Sequence, residues 1–308
     1  MIRCKAINTI TTINTSQINQ KKILRADQVA LSYARQSRAR ATDTNVIERI
    51  NLALEPGEVL AIQGPNGSGK STLMKSLARQ LKPSSGSITL DGQNIWNMNL
   101  VDFARQVAYV PQSMETPHDM TIYELVRLGR NPHQSWWSNQ LSKIDIDTIN
   151  GALERCGLTR LSDKKLNELS GGEKQRALIA MALAQEPHFI LMDEPTANLD
   201  FRYQLEVIAI IKELKEQKIG IATILHDLNL SARIADQIAL VGSADEENKS
   251  APSTIVAIGS PKEVLKEDLL RSVFSVELAF VHDERSNLDL YVPVSIANRS
   301  DKKSATQI

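Results

Sequence analysis

The chain has 308 residues, 42% of them hydrophobic, enough for one sizeable domain or a core domain with a second lobe. Its 36 Lys plus Arg balance 36 Asp plus Glu, which leaves no net charge to favour nucleic acid or anionic lipid. Cys4 and Cys156 match no metal-ligand spacing and no disulfide framework, which suits a reducing cytoplasm, and the longest apolar runs, such as Ala177 to Ala184, fall short of the roughly 20 residues that span a bilayer.

In chain order, Met1 to Lys22 is rich in Ile, Asn, Thr and Gln without the apolar core of a signal peptide, and is expected to be a disordered extension. Folded sequence is expected from Ile23, where Leu24, Val29, Leu31 and Tyr33 suggest a strand of imperfect alternation. Arg35 to Thr44 carries three arginines among small polar residues and reads as a solvated loop, with a phosphate-binding arm as the alternative. Val59 to Gln63 is a short apolar run ending at a glycine, the pattern of a buried strand. Leu73, Met74, Leu77, Ala78 and Leu81 recur at three- and four-residue steps and define one face of a helix.

Between Gln112 and Leu169 the pattern turns mostly helical, as an inserted lobe would. Phe189 to Met192 and Ile219 to Leu225 read as further buried strands, alternating with helical patterns at Glu173 to Gln185 and Tyr203 to Glu216, which implies a largely parallel sheet. The chain shows no internal repeat. The expected division is an extension over 1–22, a single domain over 23–294 with a helical lobe near 112–170, and a polar tail over 295–308.

Gly64-Pro65-Asn66-Gly67-Ser68-Gly69-Lys70-Ser71 fits the phosphate-loop pattern at every fixed position, and it lies between a strand and a helix as that loop requires. Glycines let successive N–H groups turn inward on phosphate oxygens while the helix, continuing through Thr72, presents its positive end. Lys70 would reach the β- and γ-phosphates of a bound nucleotide and the Ser71 hydroxyl would ligate Mg2+. Asp193 and Glu194 follow the strand at 189–192, where open α/β sheets bind ligands. Asp193 would hold the Mg2+, and Glu194 is placed to accept a proton from an attacking water.

Ser170-Gly171-Gly172-Glu173 has a structural explanation as a capping box opening the next helix. Two glycines in a first turn cost helix stability, however, and they leave N–H groups open to an anion.

These three elements, in this order, resemble the ATP-binding subunit of an ABC (ATP-binding cassette) transporter, and the resemblance covers nearly everything from Ile23 to Val294. It implies an α/β fold: a P-loop NTPase core with a mainly parallel sheet, an N-terminal antiparallel β subdomain and an inserted helical subdomain. It further implies a head-to-tail dimer in which Lys70 of one copy and Ser170 of a second act on the same γ-phosphate. Gln112, in Tyr109-Val110-Pro111-Gln112, matches the family's Q-loop glutamine, which touches Mg2+ and the lytic water. Asp200, in Ala197-Asn198-Leu199-Asp200, matches the acid of the loop that signals across the dimer, and His226 matches the switch histidine that positions Glu194. Tyr33 is the candidate for stacking on adenine.

Leu128-Gly129-Arg130-Asn131-Pro132-His133 and Val273-Phe274-Ser275-Val276 are similar to ATPases of importers for ferric siderophores, ferric citrate, haem and vitamin B12. The expectation is therefore an ATPase at the cytoplasmic face of a cell membrane, working with integral membrane permease subunits, indirectly with a solute-binding protein, and with no nucleic acid. Ferric-siderophore uptake is preferred over haem or vitamin B12. A non-transport ABC ATPase acting on ribosomes or DNA is the rival, disfavoured by the single cassette and the balanced charge. A polar insertion at Ser243 to Ser253 departs from the family and is expected to lengthen a hairpin.

Overall fold

The computed structural model describes residues 22–32, 45–114, 117, 119–134, 140–243, 251–285 and 288–296. Tyr33, all of the arginine-bearing loop, the N-terminal extension up to residue 21 and nearly all of the polar tail lie outside the described residues.

The chain opens with an antiparallel pair, β1 (Leu24–Ser32) and β2 (Asn45–Leu54). β3 (Val59–Gln63) then leads through the glycine loop into α1 (Lys70–Leu77). Next come β4 (Ser85–Leu90), β5 (Gln93–Asn94), the short α2 (Leu100–Ala104) and β6 (Val107–Val110). The helical stretch follows as α3 (Ile122–Leu128) and α4 (Lys143–Arg155), then α5 (Gly171–Ala184). Strand and helix alternate again in β7 (Phe189–Met192), α6 (Phe201–Glu216), β8 (Gly220–Ile224), α7 (Leu228–Ile234) and β9 (Gln237–Ser243). β10 (Ser253–Gly259), α8 (Pro261–Val264), α9 (Glu267–Phe274), β11 (Val276–Asp283) and β12 (Leu288–Ile296) complete the described fold.

Ten strands form one sheet in the order β5-β4-β1-β2-β10-β9-β3-β8-β7-β6. The run from β9 to β6 is parallel, whereas β1, β2, β4 and β5 pair antiparallel. β3, β7 and β8 are buried along their whole length, because both faces of the parallel run are covered. Alternate residues therefore feed two cores. Val59, Ile190, Met192 and Ile221 pack with α3, α4, α5 and α6, while Leu60, Ile62, Leu191 and Ala222 pack under α1 and the antiparallel flank.

α3 and α4 lie within the helical lobe, and α5 packs on both and serves as its third helix. The sequence Leu128 to His133 holds this lobe together from inside. Arg130, only 3% exposed, donates from Nε to Asp145 Oδ1 at 2.8 Å and from Nη1 to Ala184 O at 2.8 Å and Glu186 Oε2 at 2.6 Å. Gly129 leaves no room for a side chain, since a Cβ there would sit 2.1 Å from Met181 O. His133 Nε2 meets Gln185 O at 2.9 Å. Much of this family-like sequence thus faces inward, and Leu128 and Asn131 are its exposed members.

β9 and β10 form the hairpin expected around the polar insertion, with Ser243 opposite Ser253. β11 and β12 form a separate two-stranded sheet that the sequence pattern did not disclose. Leu278 and Tyr291 tuck beneath it into a third core with Ala61, Leu240 and Leu270. Asn229 of α7 grips its second strand: the amide donates to Tyr291 O at 3.3 Å and accepts from Tyr291 N at 2.8 Å.

Removing one partner from a buried ion pair leaves the other charge uncompensated, so Arg130→Ala should lower the unfolding free energy by about 3 kcal/mol in urea denaturation. The Ser142 hydroxyl first, then Arg130, hold the Asp145 carboxyl below the usual carboxylate range. That contribution is present in full above Asp145's ordinary value and is lost as the pH falls through the depressed one. The stability difference between wild type and Arg130→Ala should shrink correspondingly in acid.

Candidate active site

β3 ends at the buried Gln63, whose amide donates to Ser231 Oγ of α7, and the chain then turns through the glycine loop. Gly67 and Gly69 have φ of 82° and 87°, values that L side chains rarely adopt, and at Gly69 a Cβ would also lie 2.6 Å from Ile47 Cγ1. The helices starting at Ile122, Lys143 and Gly171 each close their first turn with a capping box. α1 has no side-chain cap and no acid in its first turn. Its N–H groups are consequently open to an anion.

Lys70, 5% exposed, folds back so that its ammonium donates to Gly64 O and Pro65 O, both at 2.8 Å. Burial holds its pKa below the usual lysine value, against the pull of Glu194 and Asp193. Asn66 and Gly67 are exposed at the crest of the loop, Pro65 and Gly69 are half-buried, and Ser68 and Thr72 are buried.

β8, β7 and β6 are neighbouring parallel strands, and their C-terminal ends deliver the remaining groups side by side. Asp193 is 5% exposed; Ser71 Oγ donates to its Oδ1 at 3.0 Å and the Tyr109 hydroxyl to its Oδ2 at 3.2 Å. Burial pushes the Asp193 carboxyl above its ordinary value, and these two hydroxyls oppose that push. Tyr109 is itself driven well above the ordinary phenol range, first by burial and then by Asp193, so it remains a donor.

Glu194 has φ of 52°, a left-handed backbone that costs a non-glycine residue about 1 kcal/mol or more and recurs at functional sites. Its two oxygens are held from opposite sides. Gln112 Nε2 donates to Oε2 at 2.6 Å, and His226 Nε2 lies 2.7 Å from Oε1. Lys70, Ser71, Gln112, Asp193, Glu194 and His226 thus form one constellation. Its oxygen donors at Ser71, Asp193 and Gln112 are hard and few, and no group of three or more His, Cys, Asp or Glu residues gathers as a metal cage among the described residues. That set fits Mg2+, which completes its shell with water and phosphate.

Ser170 to Glu173 stands apart. Among the described residues it makes no hydrogen bond to the 64–71 loop; instead Glu173 Oε2 accepts from Ser170 N at 2.8 Å, and Ser170 Oγ accepts from Glu173 N at 3.3 Å. Ser170 and Gly171 are exposed, but Gly172 is buried, with a Cβ there only 2.4 Å from Tyr203 Cγ. The second glycine is therefore required by an aromatic ring of the same chain, a demand that comes in addition to the ligand approach expected for both. Arg176, one helical turn on from Gly172, stands over that ring at 5.6 Å and pairs with Glu206. Asp200 caps α6 by accepting from Tyr203 N at 3.0 Å, so the 170–173 and 197–200 segments meet through Tyr203. Sequence reasoning missed Tyr109 and Tyr203 as contributors. For Tyr109 the available signal was a polar-tipped aromatic in a short buried strand, which needs a partner for its hydroxyl.

The ABC transporter family profile matches residues 47–197. The petrobactin import ATP-binding protein FpuD of Bacillus anthracis is 39% identical over 286 residues, 92% of this chain and 98% of its own length. The chain belongs to the ATP-binding subunits of ABC transporters. This cassette accordingly binds ATP and is an ATPase. It is also 35% identical to the ferric enterobactin transport ATP-binding protein FepC of Escherichia coli, over 88% of this chain and 94% of that protein. Among solved structures, a metal-chelate type ABC transporter in an inward-facing conformation aligns with a TM-score of 0.72 at 26% identity, covering 89% of this cassette and 98% of that chain. No helix among the described residues of the cassette is long and apolar enough to cross a membrane.

The two glycines of the 170–173 segment should respond differently to substitution. In Gly172→Ala the new methyl group meets the Tyr203 ring, so thermal unfolding should report a loss of about 1–3 kcal/mol. Gly171→Ala meets only Leu199 Cδ2 at 3.6 Å, an ordinary contact, and should melt like the wild type.

Proposed function

We propose that this cassette is the motor of an importer for ferric siderophores, working as a head-to-tail pair of copies beneath a membrane permease. The observation that carries the motor reading is the double grip on Glu194 by Gln112 and His226, beside a lysine-bearing loop at an uncapped helix end. The cargo reading rests on the relatives, whose names specify petrobactin, achromobactin, ferric enterobactin and iron(3+)-hydroxamate.

In this reading residues 64–72 cradle the triphosphate of ATP, and Lys70 exchanges its loop carbonyls for β- and γ-phosphate oxygens. Ser71, Asp193 and Gln112 hold Mg2+, which when bound neutralises charge on those phosphates. A water oxygen attacks the γ-phosphorus, the bond to the ADP oxygen breaks, and Glu194 takes the proton that the water releases. Gln112 and His226 keep that carboxylate aimed. Ser170, Gly171, Gly172 and Glu173 of a second copy close over the same phosphate, and Asp200 links the two sites. Tyr33 stacks on adenine. The unit over 23–294 acts as one body, its helical lobe passes the closing motion to the permease at the cytoplasmic membrane face, and a solute-binding protein supplies the cargo from the other side.

Glu194→Gln should reduce steady ATP turnover by at least about a hundredfold, the scale of a general base, while accumulating an ATP-filled dimer in size-exclusion chromatography. Normal turnover in this variant would remove Glu194 from the role of base. Lys70→Ala should instead weaken nucleotide binding by about tenfold or more in equilibrium titration, as expected for lost charge-assisted hydrogen bonds. For the cargo, deletion of the gene should abolish uptake of ferric siderophore and spare haem and vitamin B12. The reverse pattern would reassign it, and co-purification with ribosomes in place of a permease would overturn the transport reading.

A further inference from the structure

We propose that Tyr109 is a positioning residue for the hydrolysis reaction: its hydroxyl fixes the plane of the Asp193 carboxylate and so keeps Oδ1 turned toward Ser71. The inference rests on the reading above in which Ser71 and Asp193 hold Mg2+, and it adds a residue to that site.

Strand register makes the contact. Tyr109 of β6 lies opposite Leu191 of β7, and the ladder continues one step beyond the strand through Asp193 N donating to Val110 O at 2.9 Å. Side chains alternate along a strand, so Asp193, two residues past Leu191, projects to the same face as Leu191 and Tyr109. That face is the one covered by α1, where Leu191 packs with Leu73 and Met74 and where Tyr109 is partly buried. Ser71 lies at the start of the same helix. The tyrosine ring consequently spans from the core to the acid.

A carboxylate turns about a broad terminal torsion, so one hydrogen bond leaves its plane loosely set. Here each oxygen has its own hydroxyl: Ser71 at 3.0 Å on Oδ1 and Tyr109 at 3.2 Å on Oδ2. Asp193 is too enclosed, at 5% exposure, for bulk water to replace a lost partner freely. The phenol suits the task because its ring is packed against the core beneath α1 and its hydroxyl swings only in a small circle. Neither Gln112 nor His226 touches Asp193; both are spent on Glu194. The two adjacent acids are thus oriented by separate pairs of side chains, and Tyr109 is the member with no counterpart among the residues assigned above.

Tyr109→Phe removes one oxygen and keeps the ring. Binding of a fluorescent ATP analogue to the purified cassette should be unchanged in EDTA, which also reports that the loop is folded. Titration with Mg2+ should then show half-saturation raised about tenfold, the scale of one hydrogen bond to a charged group. ATP turnover should follow the same shift, with kcat recovering at saturating Mg2+. Tyr109→Leu, which removes the ring as well, should shift the Mg2+ dependence by a similar factor if the hydroxyl is what acts. Asp193→Asn separates this inference from the reading beneath it. A large Mg2+ shift in Asp193→Asn with none in Tyr109→Phe overturns the role of Tyr109 alone. No shift in either variant overturns the Mg2+ assignment and the role of Tyr109 together.

Discussion

Glu194 is gripped from both sides because three neighbouring parallel strands end at one level of the sheet. β6 supplies Gln112, β7 supplies the acids and β8 supplies His226, and the strand order β8-β7-β6 puts the three ends in a row. Residues separated by 82 positions in sequence, Gln112 and Glu194, meet without either belonging to a shared loop. The parallel ladder is what makes this reliable: a slip of one residue in β7 would turn Asp193 to the opposite face and away from Ser71. The pairing of β7 with β6 on one side and β8 on the other holds the register, and the register fixes the chemistry.

Several residues that mark the family serve this chain's own packing as much as its ligand. Gly172 lies under the Tyr203 ring, and Arg130 is spent on Asp145, Ala184 and Glu186. Such residues link functional segments to the core. The 170–173 segment is backed by Tyr203, Tyr203 by Arg176, and the N-terminus of α6 by Asp200, so these two loops cannot shift independently without breaking several contacts. The exposed members, Ser170 and Gly171, are what remains for a partner to meet.

Much of the core was legible because its signals are local. Five consecutive buried residues before a glycine gave β3 its bounds, and four before the acids gave β7 its own. The glycine loop, the capping box at Ser170 and the acidic pair each announce themselves within eight residues. What stayed hidden depends on register or on tertiary contact. Tyr109 stands in a quoted motif, yet its hydroxyl acquires a purpose only when β6 lies beside β7. The packing demand on Gly172 stayed hidden because nothing in the sequence brings Tyr203 near it. The membership of α5 in the helical lobe was likewise invisible, since one helix carries both the 170–173 segment and the packing face for α3 and α4. The β11–β12 sheet went unread although Leu290, Val292, Val294 and Ile296 alternate with Asp289, Tyr291, Pro293 and Ser295, because its pairing with the mixed sequence of β11 is a tertiary fact.

The clamp that Asn229 places on Tyr291 uses only main-chain atoms of the strand it holds. The clamp itself would accept any residue except proline at position 291, whereas the Tyr291 side chain answers separately to the third core. The outward positions of the C-terminal ribbon, such as Val294 and Ile296, are therefore free to drift in composition over evolutionary time while its mooring, two residues beyond Asp227, stays put.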